Sequence, residues 1–183
     1  NQGDVEKAFK EADAVVETTL DFARHTGVTL ESRGIVADWN KAENKMTIYH
    51  NGQAPHMMQH IIAKHLDLNE GLVRIVSRDV GGSFGIKVHV YPDEIAVTAI
   101  SKKIGRPVKF IADRLESFTT DIHARCHKIS GKLGVDKSGK ILAMVIDDLS
   151  GIGPFSMYPR TSAIETNQVL NLSGAPYVIP NYK

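Results

Sequence analysis

The run Val80-Gly81-Gly82-Ser83-Phe84-Gly85-Ile86-Lys87 is the sharpest chemical feature of the sequence. Glycines at 81, 82 and 85 let the backbone come close to a ligand and adopt conformations closed to other residues. The run is not a phosphate-binding P-loop, because Lys87 lacks the required glycine spacing and is followed by Val88 rather than Ser or Thr. Nor is it a dinucleotide fingerprint, since Gly81 and Gly82 are adjacent. The helix expected to follow begins Pro92-Asp93-Glu94, and two carboxylates at its positive end disfavour a docked anion. A ligand here would meet backbone N–H groups and the Phe84 ring, which suits a flat or crowded molecule. The plainer alternative is a tight turn with Phe84 filling the core.

Gln53 lies between the strand end His50-Asn51 and a helix start at Pro55. That position aims a carboxamide, both donor and acceptor, out of a sheet edge. A helix cap or solvated loop residue is the alternative. His56 and His60 share a helix face at zinc-helix spacing, but Met57-Met58-Gln59 between them lacks the glutamate of a zinc protease motif. His65 falls about 180° around that helix from His56. Cys126 sits beside His127 and near His123, so a Cys/His nucleophile is conceivable, although an idle thiol is commoner. Arg114 and Glu116 read as structural charges after a strand, and Tyr158-Pro159-Arg160 as a pocket lining or a turn.

Secondary elements must position these groups. Asp4–Ala12 reads as a short helix with Val5, Ala8, Phe9 and Ala12 on one face, and Ala14–Phe22 as a strand. Ile35–Trp39 and Met46–His50 are short strands around the polar turn Asn40–Lys45. A helix runs from Pro55 to Leu66 with Met58, Ile61, Ile62 and Leu66 as its buried stripe. Leu72–Ser77 is a strand feeding the glycine loop. A second long helix spans Pro92 to Lys103, with Ile95, Ala96, Ala99 and Ile100 inward and Gly105 ending it. Val108–Ala112 is a strand, and Ile129–Val135 with Ile141–Leu149 form a hairpin around Asp136-Lys137-Ser138-Gly139. Helices and strands interleave while hairpins demand antiparallel pairing, so the fold class is α+β with mixed sheets and packed helices. The expected division is a leading part at 1–50 and a lobe carrying the glycine loop at 51–183.

Composition narrows the function. With 183 residues, 22 Lys+Arg and 21 Asp+Glu, the net charge of +1 argues against electrostatic nucleic-acid binding. The longest apolar run, Ile141–Ile146, is far too short for a membrane span. A lone cysteine excludes an internal disulfide framework and a Cys-based zinc or iron–sulfur site in this chain. The first residue is Asn1 and no terminal element is evident at Lys183, so the expectation is a piece of a longer polypeptide or one subunit of a split enzyme.

Taken in order, Gly3-Asp4 with Ala8-Phe9 and Ala12-Asp13, Glu31, Gln53-Ala54-Pro55-His56, Val80–Lys87, Gly105-Arg106-Pro107-Val108 and Arg114-Leu115-Glu116 resemble the molybdenum hydroxylases, the relatives of xanthine dehydrogenase, aldehyde oxidase and the carbon monoxide dehydrogenase large subunit. The resemblance covers nearly the whole chain and corresponds to the first half of their molybdenum-cofactor-binding region. It implies that Gln53 hydrogen-bonds an oxo ligand of the metal. It also implies that Gly82, Ser83, Phe84 and Gly85 form the loop that approaches pterin and metal. The family loop often has glycine where Ser83 and Ile86 stand here, and β-branched Ile86 must be extended or helical. The family's catalytic base, a glutamate, lies farther downstream than this chain reaches.

The implied activity is oxidation of an aldehyde, an N-heterocycle or a carbon monoxide-like substrate with water as oxygen source, on a molybdenum–pterin cofactor for which the cytosine dinucleotide is one candidate form. Implied partners are the remaining half of the molybdenum-binding region and iron–sulfur (2Fe-2S) and flavin (FAD) subunits or domains. A small-molecule substrate, no nucleic acid, no membrane span and a cytoplasmic location complete the expectation. The chain alone is expected to be inactive. Purine-hydroxylating relatives usually carry glutamate after the loop lysine, where this sequence has Val88. The segment Val88-His89-Val90-Tyr91-Pro92 instead resembles the carbon monoxide dehydrogenase-like branch, without its cysteine-bearing loop. Alternatives are a non-catalytic binding or assembly module of the same fold and a zinc hydrolase built on His56 and His60.

Overall fold

The computed structural model describes residues 1–153 and 162–183. Tyr158-Pro159-Arg160 lies outside them. The chain divides into two compact units. One takes Asn1–His25 and the described residues from Ala124 onward; the other is Thr26–His123. The boundary expected at residue 50 therefore falls inside the second unit. The reason is strand pairing: the strand ending at His50 is bonded on both sides within one sheet, so a cut there would split that sheet.

In the first unit, α1 (Val5–Glu11) is capped by Asp4, whose side chain accepts from the Lys7 N–H. Antiparallel strands β1 (Ala14–Phe22), β6 (Cys126–Val135) and β7 (Ile141–Gly151) follow one another in the sheet, with β8 (Asn181–Tyr182) parallel to β7 at its far edge. The β6–β7 hairpin turns at Asp136–Gly139, as its sequence signals required, but β6 begins three residues earlier than expected, at Cys126. A helix not anticipated from the sequence, α5 (Ser162–Leu172), completes the described part.

The second unit is built on the sheet β4-β3-β2-β5, comprising β2 (Gly34–Asn40), β3 (Lys45–His50), β4 (Val73–Val76) and β5 (Val108–Ile111). β2 pairs antiparallel with β3 and β5, whereas β3 and β4 are parallel. A parallel pair needs a crossover, and α2 (Pro55–Leu66) supplies it, with the bounds its apolar period and Pro55 predicted. Met58, Ile61, Ile62 and Leu66 are buried as expected, against Met46, Ile48 and Val73 of the sheet. Each such side chain contributes about 1.5–3 kcal/mol by leaving water. Leu72 belongs to a 3-10 turn that precedes β4 rather than to the strand.

The helix α3 (Pro92–Ile104) ends at Gly105, whose φ is +66°, but its inward face is not the expected one. Ala96, Ala99 and Ile100 are exposed and Ile95 is half-buried, while Glu94, Val97, Thr98 and Ser101 are buried. Polar partners rotate the helix. Glu94 takes a hydrogen bond from His50 at 2.9 Å, and Ser101 Oγ accepts from the Trp39 N–H at 3.1 Å while donating to the Arg106 carbonyl at 2.9 Å. Arg114 and Glu116, read from the sequence as charges after a strand, belong to a further helix, α4 (Arg114–Thr120). Its N-terminus is closed by a capping box between Asp113 and Glu116. Together the units are an α+β fold with mixed sheets, as the interleaved pattern predicted.

Candidate functional site

β3 and β4 run in the same direction, with Tyr49 opposite Val76. The chain therefore leaves both strands at one edge of the sheet. From β3 it enters Asn51–Ala54, and from β4 the glycine loop. This topology joins Gln53 to a loop some thirty positions downstream. The Ser83 hydroxyl donates to Gln53 Oε1, and the Gln53 N–H donates to the Lys87 carbonyl at 3.2 Å. Ser83 Oγ also accepts from the Lys87 N–H at 3.1 Å, and Ser77 Oγ donates to the Gly52 carbonyl at 2.8 Å. All five predicted site residues, Gln53, Gly82, Ser83, Phe84 and Gly85, thus lie in one cluster of the second unit.

The loop backbone is unusual. Gly82, Phe84 and Gly85 have φ of +94°, +50° and +89°. Left-handed backbone is open to glycine but costs a side chain about 1 kcal/mol or more, so Phe84 is strained. The ring does not fill the core, because Phe84 is 78% exposed. Nothing lies within 4 Å of where a Cβ on Gly85 would sit, so this stretch faces open space. Ile86 begins a 3-10 turn, Ile86–Val88, consistent with its intolerance of positive φ. Ile86, Lys87 and Val88 are buried.

Glu31 and Lys87 close the base of the loop. Glu31 Oε2 accepts from the Gly81 N–H at 2.7 Å and from Lys87 Nζ at 2.8 Å. A Cβ on Gly81 would lie 2.5 Å from Glu31 Cβ, so this approach requires glycine. Burial pushes the Glu31 carboxyl up, but hydrogen bonds from Lys87, Gly81 and Asn51 outweigh it and hold the group below the usual carboxylate range.

Beneath lies a polar network that sequence reading missed. Arg33, 1% exposed, grips Asp93 with both terminal nitrogens at 2.9 Å and donates from Nε to Asp121 at 2.6 Å. Its guanidinium stacks 3.7 Å from the Tyr91 ring centroid. The Tyr91 hydroxyl donates to the Ile86 carbonyl at 2.9 Å, tying this cluster to the loop. Burial pulls the Arg33 ionisation down, but Asp93 and Asp121 override it, and the group stays protonated. Burial also raises the Tyr91 phenol well above its ordinary value, keeping it a neutral donor. Asp93 and Glu94, which seemed only to repel anions, are the partners of this cation. An arginine just before an apolar strand, with paired carboxylates opening a helix, was the available signal. Nothing in the sequence paired them.

The histidine readings fare differently. His60 Nδ1 lies 2.6 Å from Glu70 and His56 is exposed; among the described residues no three His, Cys, Asp or Glu side chains form a metal cluster. His127 turns Nδ1 to Asp148 at 3.0 Å and Nε2 to Glu165 at 3.2 Å, which leaves no ring nitrogen to activate Cys126. Burial lowers the His127 ionisation, and the two carboxylates more than reverse this, raising it above the ordinary value.

The donor set can be stated chemically. Gln53 keeps its side-chain N–H donors once its oxygen is taken by Ser83. The N–H groups of Gly82, Ser83, Phe84 and Gly85 find no acceptor among the described residues. Neutral donors beside an exposed aromatic ring fit a bulky, oxygen-rich molecule such as a metal–pterin group.

The chain matches known proteins along its full length. The molybdopterin cofactor-binding domain family matches residues 1–183. The nicotine 6-hydroxylase large subunit of Paenarthrobacter nicotinovorans is 31% identical over 89% of this chain and 20% of its own length. The carbon monoxide dehydrogenase large chain of Hydrogenophaga pseudoflava is 34% identical over 80% of this chain and 18% of its own length. The crystal structure of quinoline 2-oxidoreductase from Pseudomonas putida 86 superposes with a TM-score of 0.92 at 26% identity, covering 99% of this chain and 23% of that one. The chain spans about a fifth of the length of these relatives. With this fold, and a loop and glutamine meeting at one sheet edge, the chain belongs to the molybdopterin cofactor-binding domain family of the molybdenum hydroxylases.

Proposed function

We propose that this chain forms one wall of the molybdenum–pterin site of a hydroxylase that oxidises an aldehyde or a small N-heterocycle. The observation that carries the reading is the joining of Gln53 to the loop Gly82–Gly85 through Ser83 at the shared end of the parallel strands β3 and β4. Gln53, with its side-chain N–H donors left over by Ser83, would help hold the molybdenum–pterin group by hydrogen bonding. The loop N–H groups approach the pterin side, and the Phe84 ring shields the pocket. The bound group supplies two-electron redox chemistry with water as oxygen source. The base glutamate, the rest of the molybdenum-binding region, and the 2Fe-2S and FAD groups come from other parts of the parent enzyme, in the cytoplasm. The cytosine dinucleotide is the proposed cofactor form. The 183 residues alone are inactive.

Val88 bears on the substrate class. Its apolar side chain cannot make the hydrogen bond that a glutamate at this position makes to a purine in purine-hydroxylating relatives. The names nicotine 6-hydroxylase and quinoline 2-oxidoreductase among the relatives fit an N-heterocycle, while a xanthine dehydrogenase subunit among them makes xanthine the competing substrate to assay. The test is Gln53→Ala in the parent enzyme, assayed with aldehydes, N-heterocycles and xanthine. One donor lost to developing charge costs about 3 kcal/mol, so kcat falls about a hundredfold with little change in KM and with molybdenum retained. Unchanged kcat at full molybdenum content refutes the role of Gln53. A higher kcat/KM for xanthine than for the other classes refutes the substrate assignment.

A further inference from the structure

We propose that Glu31 is a positioning residue, a clasp that holds the glycine loop in its outward, left-handed shape with Lys87 as its buried counter-ion. One carboxylate oxygen receives both the Gly81 N–H and Lys87 Nζ, the two ends of the loop. The Glu31 N–H donates back to the Gly81 carbonyl at 3.2 Å, so Gly81 is gripped on both its polar groups. Between these fixed ends lie the three positive-φ residues Gly82, Phe84 and Gly85. Such a segment relaxes unless its ends are fixed.

The clasp is itself anchored. Arg114 of α4 donates to the Thr29 and Leu30 carbonyls, each at 2.7 Å, and Thr29 Oγ1 donates to the Glu31 carbonyl at 2.6 Å. The Lys87 side chain is fully buried whereas that of Glu31 is 41% exposed. The ammonium therefore depends on this carboxylate for its charge partner, while the carboxylate keeps partial access to water. Charge-assisted hydrogen bonds to a single oxygen fix direction as well as distance. Removing Glu31 frees the loop and strands the lysine, while the sheet beneath keeps its own pairing. The meaning of the clasp for catalysis rests on the cofactor reading given above; the clasp as a mechanical device does not.

Hydrogen exchange in the cofactor-free parent protein reads it directly. Glu31→Ala speeds exchange of the Gly81 amide and of the Ile86 and Lys87 amides, which are bonded to Ser83, at least about tenfold and leaves the amides of β2 and β3 unchanged. Glu31→Gln, nearly isosteric, accelerates the same amides and carries the test should the alanine variant fail to fold. Combining Glu31→Gln with Lys87→Met restores slow exchange, since a carboxamide oxygen still accepts from Gly81 and no cation is left buried. Loop exchange within twofold of wild type in both single variants overturns the clasp, as does equal acceleration in β2 and β3. In the loaded parent enzyme, Glu31→Ala also lowers molybdenum and pterin content. A loosened loop with full cofactor content leaves the clasp standing and refutes the cofactor reading; an unchanged loop with lost cofactor refutes the clasp.

Discussion

Replacing Arg33 by Met removes a buried charge while keeping most of its length. The consequence is mainly electrostatic. In the wild type the guanidinium is the cation facing Asp93, Glu94 and Asp121. Asp93 is 28% exposed at its side chain and can be rehydrated, whereas Glu94 and Asp121, at 2% and 4%, cannot. Glu94 keeps its hydrogen bond with the His50 ring at 2.9 Å. Breaking a buried ion cluster from one side costs about 3–5 kcal/mol, and the lower end applies here because one carboxylate is reachable by water. Arg33→Lys keeps the charge but loses the planar fork on Asp93 and the stack on Tyr91, leaving a deficit of about 1–2 kcal/mol. Urea melts followed by fluorescence measure both. Trp39 is the only tryptophan and is buried in the same unit. With a slope of about 2 kcal/mol/M, 3 kcal/mol moves the midpoint down by about 1.5 M for Met, and the Lys variant falls between Met and wild type. A Met variant melting within about 0.25 M of wild type, at unchanged slope, refutes the claim that these carboxylates depend on Arg33.

Phe84→Gly relieves the left-handed strain while making the unfolded chain more flexible, so stability changes by less than about 1 kcal/mol despite the loss of a phenyl ring. A loss above about 2 kcal/mol in the same melts means the ring is packed after all. In the parent enzyme this substitution lowers turnover. His127, raised above its ordinary value, contributes stability that is complete below the ordinary histidine range near 6.5 and is lost as pH rises through the higher folded value. Protection of α5, held by His127 through Glu165, therefore falls on the alkaline side. With the intrinsic base-catalysed rate divided out, protection in α5 that does not change with pH from about 6 to about 9, or a His127→Gln variant whose protection keeps the same pH dependence, contradicts this.

The legible parts of the fold were those decided locally. The apolar period and Pro55 set both ends of α2, and the turn residues Asp136–Gly139 set the β6–β7 hairpin. The meeting of Gln53 with the glycine loop was suggested by family resemblance, and its cause is topological: a parallel neighbour for β3 brings the two segments to one edge. The face of α3 was not legible. Apolar counting favours Ala96, Ala99 and Ile100, but hydrogen bonds from His50 and Trp39 pull Glu94 and Ser101 inward. Asp113 and Glu116 are three apart and cap α4, a signal present in the sequence, where Glu116 reads only as a structural charge after a strand. The Arg33 network was hidden because its partners lie sixty or more positions away, and no local period encodes such a pairing.

The polar character of this base follows from what it must hold. Apolar packing fixes volume and leaves rotation about the contact free, whereas a loop with three positive-φ residues needs its end groups fixed in direction. Well-packed hydrophobic residues often match a buried ion pair in stability, so stability alone does not account for charges at this place. Here each polar side chain of the base ends at a loop or a helix terminus: Glu31, paired with the buried Lys87, at Gly81, Arg33 at the start of α3 and the end of α4, and the neutral Tyr91 phenol, stacked on Arg33, at the Ile86 carbonyl. The network ends on both sides of the exposed Phe84-Gly85 turn. An apolar core beneath this loop could match the unit's stability, but the bonds that aim Phe84 and Gly85 outward would be lost.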